Sequence, residues 1–142
     1  PEDIYDTPAN TFVADFMGSP PMNIVPAQVT STGLLIDDIP LAMPHWSNAN
    51  LPQEVLVGIR PESLCLTQDA SDLSVTPTMI ENTGAECYLS FALAGKNVTA
   101  RIPGRIAEDG THTINLGIDR AKISLFSAQT GDRIRSEAFQ TH

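Results

Sequence analysis

The sequence predicts a mainly β fold, a small antiparallel barrel or a pair of them, with one N-terminal connector helix. Three observations predict it. An apolar face at helical spacing is confined to residues 7–18, the pattern then changes to strict alternation, and turn-forming residues recur roughly every 8–12 positions thereafter.

The helix has signals at both ends: Thr7 can cap it, Pro8 suits the first position, Gly18 can take the left-handed stop and Pro20 forbids continuation. Ala9, Phe12, Val13, Phe16 and Met17 fall on one face. That face must be covered, either by the chain's own sheet or by a neighbouring domain. Phe12, Val13 and Phe16 are therefore candidate domain contacts, and residues 1–22 are expected to be a connector leading out of a preceding domain.

Strands follow in order. Ile24 to Thr30 and Leu34 to Ile36 flank the turn Ser31-Thr32-Gly33, and Asp37-Asp38 turns the chain into Ile39 to Met43. The segment 44–52, rich in turn formers and carrying the single Trp46, is expected to be a surface loop that separates two β blocks. Glu54 to Arg60 contains the run Val55-Leu56-Val57-Gly58-Ile59, which predicts a strand buried on both faces and halted by Pro61. Leu73 to Asn82 is expected to be one strand broken at Pro77. Cys87, Leu89, Phe91 and Leu93 alternate cleanly, as do Val98, Ala100 and Ile102 beyond Ala94-Gly95-Lys96, and this is the clearest hairpin. Ile114, Leu116 and Ile118 make a further strand, and Ile123 with Leu125 closes the sheet. The β domain is thus expected over 23–135, with residues 136–142 fraying.

Composition narrows the function. The 142 residues carry 8 Lys plus Arg against 17 Asp plus Glu, a net charge of -9, which repels a phosphate backbone; nucleic acid is not an expected partner. No apolar run approaches the roughly 20 residues needed to cross a bilayer as a helix. Cys65 and Cys87 lie within apolar strand-like runs and are expected to be buried free thiols.

Motifs for catalysis are hard to find. A phosphate-wrapping loop needs Gly-x-x-x-x-Gly-Lys-Ser/Thr, but the Gly95-Lys96 pair has Ser90 in place of the first Gly and Asn97 in place of the hydroxyl. His45, His112 and His142 have no metal-binding spacing, and no Gly-x-Ser-x-Gly elbow is present. The acidic pairs Asp37-Asp38 and Glu108-Asp109 occupy turn positions, which explains them without acid–base work. No catalytic, cofactor-binding or metal-binding residue is assigned. The stretch Gly58-Ile59-Arg60-Pro61-Glu62 stands out, because Arg60 and Glu62 straddle a Pro-fixed corner where they could pair with each other or present charge to another subunit. Gly58, Arg60 and Glu62 complete the candidate domain or subunit contacts.

Residues 1–23, with Thr7-Pro8-Ala9-Asn10-Thr11-Phe12-Val13-Ala14-Asp15-Phe16-Met17-Gly18-Ser19-Pro20-Pro21-Met22-Asn23 at their heart, resemble the junction of sugar-importing ABC transporter ATPases, where the nucleotide-binding domain passes into the C-terminal regulatory domain. Val57-Gly58-Ile59-Arg60-Pro61-Glu62, Glu81-Asn82-Thr83-Gly84-Ala85-Glu86 and Leu125-Phe126-Ser127-Ala128-Gln129-Thr130-Gly131 resemble later signatures of the same family. Met17 replaces a usual Ile, and Ser127 stands where Asp is common.

The resemblance implies an OB-like barrel of the TOBE kind that is a non-catalytic regulatory and dimerisation domain of an importer ATPase for a carbohydrate-type solute. The alternative it leaves open is a TOBE-type module that senses a small ligand or oxyanion. It further implies no cofactor in this chain, with ATP and Mg in the upstream domain. Its partners would be the subunit's own nucleotide-binding domain, a second copy of the subunit, the permease and a regulatory protein. The location implied is cytoplasmic, at the inner face of the plasma membrane.

Overall fold

The computed structural model describes residues 20–68, 72–107, 113–135 and 139. The expected connector helix, with Phe12, Val13 and Phe16, lies outside them.

Twelve strands are present among the described residues: β1 (Asn23–Val29), β2 (Gly33–Ile36), β3 (Ile39–Ala42), β4 (Glu54–Ile59), β5 (Leu64–Leu66), β6 (Leu73–Val75), β7 (Met79–Asn82), β8 (Glu86–Leu93), β9 (Lys96–Pro103), β10 (Ile114–Ile118), β11 (Ser124–Ser127) and β12 (Arg133–Ile134). They form a six-stranded sheet in the order β12-β11-β4-β1-β2-β3 and two three-stranded sheets, β5-β10-β6 and β7-β8-β9. All pairings are antiparallel.

Alternation sets the sidedness of the large sheet. On β1 and β4, Val25, Ala27, Val55, Val57 and Ile59 face a core shared with Leu89, Phe91, Ala100, Ile102, Leu116 and Leu125 from all three sheets. The opposite face of the sheet carries Ile24 of β1, Leu56 of β4 and Phe126 of β11, which cluster with Met22. Strand β4 is therefore apolar on both sides, as its unbroken run predicted, and it is halted at Pro61, which opens a single 3-10 turn over Pro61–Ser63.

The loop at 44–53 does not divide the chain into two barrels. Six consecutive residues of β1 pair with β4 across it, from Asn23↔Ile59 to Gln28↔Glu54, so both blocks build one sheet over one core. The expected strand 73–82 is two strands in different sheets. Buried Pro77, which cannot donate to a ladder, marks the break between β6 and β7. The sheet also continues past Leu125, because β12 pairs Arg133 with Phe126 and Ile134 with Leu125. Phe139, in the tail expected to fray, is buried; its ring meets Trp46 edge-on with centroids 4.6 Å apart, and its carbonyl accepts from the Ser47 N–H at 2.6 Å.

The β8–β9 hairpin turns in two residues, Ala94 (φ 52) and Gly95 (φ 75), the left-handed pair that suits the twist of its strands. Asp37 likewise has a positive φ (53) between β2 and β3, as its turn assignment required. Neither cysteine is in a disulfide, and only Cys87 is buried. Cys65 is exposed because β5 is a short edge strand that turns only Leu64 inward; its thiol lies 3.7 Å from the Gly117 carbonyl.

Candidate functional site

The corner predicted from Gly58, Arg60 and Glu62 lies where the chain first enters the sheet. Gly58 pairs with Ile24 of β1 and Ser124 of β11. Met22 packs over it from the apolar outer face, and a Cβ at this position would overlap Met22 Sδ and approach Phe126 Cε2 to 2.9 Å. Gly58 is thus required by close packing inside the chain. Arg60, 8% exposed, precedes the Pro61–Ser63 turn in extended backbone, and its carbonyl accepts from the Ser63 N–H at 2.9 Å. Glu62, by contrast, faces solvent. The two charges therefore occupy different environments, and Glu62 is the one displayed at the surface.

Asn23 was not singled out for a role, yet it organises this corner. Its Nδ2 donates to Ile59 O and to Thr99 O, each at 2.9 Å, while its Oδ1 accepts from the Thr99 N–H at 2.9 Å. The orientation of the amide is fixed by its partners: reversed, its oxygen would face two carbonyls. Thr99 lies on β9, the outer strand of the third sheet, and both of its backbone groups turn away from β8 toward Asn23. The side chain thus takes the place of a neighbouring strand. The sequence did carry a signal, since an amide at 23 occupies the same inward row as Val25 and Ala27 and must find partners there.

A second asparagine repeats the device. Asn82, at the end of β7, donates to Ile106 O at 2.9 Å and accepts from the Ile106 N–H at 3.1 Å, pinning the loop after β9.

Among the described residues, two grooves flank the large sheet. One of about 540 Å³, lined by Pro20, Met22, Ile24, Leu56, Lys96 and Thr99 among others, opens beside the Asn23 corner. The other, of about 440 Å³, has Asp37, Asp38 and Glu54 on its walls with Pro26, Leu35 and Ala94, and among the described residues no Lys or Arg lines it. Such a wall repels anions. Among the described residues no group of three or more His, Cys, Asp or Glu is placed to hold a metal ion.

An ion pair ties the turn after β10 to the start of β6 and to β3. Arg120 grips Asp72 in two parallel bonds, Nη2 to Oδ1 at 2.8 Å and Nη1 to Oδ2 at 3.1 Å, and its Nε donates to Ala42 O of β3 at 2.8 Å. Asp72 Oδ2 also accepts from the Ile118 N–H at 2.8 Å. Burial pushes the Asp72 carboxyl up, but the Arg120 hydrogen bonds, the Ile118 N–H and the Arg120 charge outweigh it and hold the group below its ordinary value of 3.8. Ser127 makes its turn through the hydroxyl, which accepts from the N–H groups of Gln129 and Thr130, each at 3.2 Å.

A mainly β chain with this architecture falls in the class of small OB-type β domains. Residues 18–64 match the family model described as the MalK OB fold domain. Over these residues the chain matches that OB-type domain, and along nearly all of its length it is similar to ABC importer ATP-binding subunits. It is 38% identical to an sn-glycerol-3-phosphate import ATP-binding protein of Chromobacterium violaceum over 97% of its own length, and 32% identical to the protein of the same name from Ralstonia nicotianae over 97%. It is also 31% identical, over 92% of its length, to a sulfoquinovosyl glycerol transport ATP-binding protein of Agrobacterium fabrum. The chain spans 38%, 40% and 38% of the length of these three relatives, in the order given.

Proposed function

We propose that this chain is the regulatory and dimerisation domain of an importer ATP-binding subunit. One observation carries the reading: relatives named as import ATP-binding proteins align with nearly all of the chain, which spans only about two fifths of their length. ATP and Mg then belong to an upstream nucleotide-binding domain, with hydrolysis carried out there, and the β domain acts through the surfaces it presents to that domain, to a second copy of the subunit and to a regulatory protein. Permease subunits hold the parent at the inner membrane face. The names of the relatives point to a small polyhydroxylated solute, of the glycerol phosphate or glycosyl glycerol type.

Differential contact is the physical basis of such regulation: a partner shifts the transport cycle only by binding one arrangement of the dimer better than another. The exposed Glu62 corner, the groove beside Met22 and the residues Phe12, Val13 and Phe16 are the contacts this reading uses. An oxyanion sensor fits less well, since Asp37, Asp38 and Glu54 line the acidic groove and no Lys or Arg among the described residues offsets them. The test uses the full-length parent with and without residues 24–142. Loss of dimers in sedimentation, together with loss of regulation of transport, is the expected outcome; unchanged dimerisation and regulation would remove the proposal.

A further inference from the structure

We propose that Asn23 is a coupling residue, passing displacement of the chain that precedes Pro20 into β9 instead of letting it dissipate at the junction. The inference rests on the regulatory reading above and adds a route by which the upstream domain and the barrel sense each other.

The argument begins with how the junction is held. Two consecutive side chains grip opposite faces of the sheet: Met22, 3% exposed, is locked over Gly58 and Phe126 on the outer face, and Asn23 points inward. With both faces engaged, the first strand residue cannot slide or rotate independently of β4. Asn23 then spans sheets, since its amide bonds Ile59 of the six-stranded sheet and Thr99 of the third. Its three bonds are to backbone atoms, so what they transmit is the position of the strand itself. The bond to Thr99 crosses 76 positions of sequence and needs no intervening loop.

Asn82 supplies the control. It grips Ile106 with the same amide-to-peptide geometry, but it lies at the end of β7, and neither of these two bonds reaches Met22, Asn23 or β9. Removing either side chain strips a strand or loop of comparable backbone bonds, and both substitutions should lower stability. Only one of them lies on the proposed route.

The experiment compares the full-length parent, wild type, Asn23→Ala and Asn82→Ala, by hydrogen exchange with and without ATP. In the wild type, ATP is expected to change protection of the β9 amides 96–102. In Asn23→Ala the Thr99 amide should exchange about tenfold faster and β9 should no longer respond to ATP, whereas in Asn82→Ala the β9 response should persist. Asn23→Ser, which keeps a single polar atom, serves if the alanine variant does not fold and should show a weakened response. A β9 response that keeps its wild-type size in the Asn23 variants, that vanishes equally in Asn82→Ala, or that is absent from the wild type overturns the proposal. A coupling failure with dimerisation and regulation still dependent on residues 24–142 leaves the regulatory reading standing.

Discussion

At Gly58 one methyl group decides whether the outer face of the sheet can close. Its Cβ would occupy the space taken by Met22 Sδ and the edge of Phe126, the latter fully buried, so Gly58→Ala should cost about 1–3 kcal/mol by overpacking. Urea denaturation of the chain checks this, and a loss below a few tenths would show that Met22 simply moves aside. The Asp72–Arg120 pair makes a different kind of prediction. Because the folded carboxyl titrates below its ordinary 3.8, the pair's contribution is fully present above that pH and is lost as the pH falls through the lower folded value. With a partly exposed guanidinium the contribution is on the order of 1 kcal/mol. The stability gap between wild type and Arg120→Gln should therefore be constant from neutrality to about pH 5 and shrink below pH 4; a gap that widened on acidification would contradict the assignment. None of these residues declared its role in the sequence. Asp72 and Arg120 are separated by 48 positions, and Gly58 looked like part of a corner motif instead of a floor for Met22.

Strands announced themselves where one face met the core and the other met water. In β8 and β9 the alternation is regular enough to fix both the strands and the register of the turn. That turn is not optimised. Ala94 sits at φ 52, where a Cβ is strained, so Ala94→Asn should stabilise the chain by about 0.5–1 kcal/mol, read as a higher midpoint in thermal or urea unfolding. No gain would mean that the half-buried Ala94 methyl contributes packing that Asn cannot replace. Short edge elements were less legible. β5 has three residues with one inward, so an apolar composition at Leu64-Cys65-Leu66 said nothing about which side chains would be covered. β12 has two residues and exists only because β11 offers an edge, information that lies in the partner strand. The continuous run through Leu73 to Asn82 hid a change of sheet, since a residue pattern specifies which face is buried but not against which sheet.

Across the whole molecule, the barrel-like class was legible because many short alternating strands with frequent turns have few stable solutions. Its unity was not. The pairing of β1 with β4 and the single core beneath three sheets depend on contacts between distant segments, and a turn-rich loop at 44–53 reads the same whether it separates two barrels or crosses one. The corner residues Gly58 and Arg60 were found through their neighbours in sequence, whereas Asn23 completes that corner through a partner on another sheet. The placement of the two cysteines has a practical consequence for measuring such long-range behaviour. A thiol reagent should titrate one equivalent in the native chain, at Cys65, and a second only on unfolding, when Cys87 is released. Two equivalents without denaturant would show that the core opens readily. With one, a dye or spin probe can be attached to the β5 edge of the wild-type protein without mutation, giving a reporter of how this domain moves within its assembly.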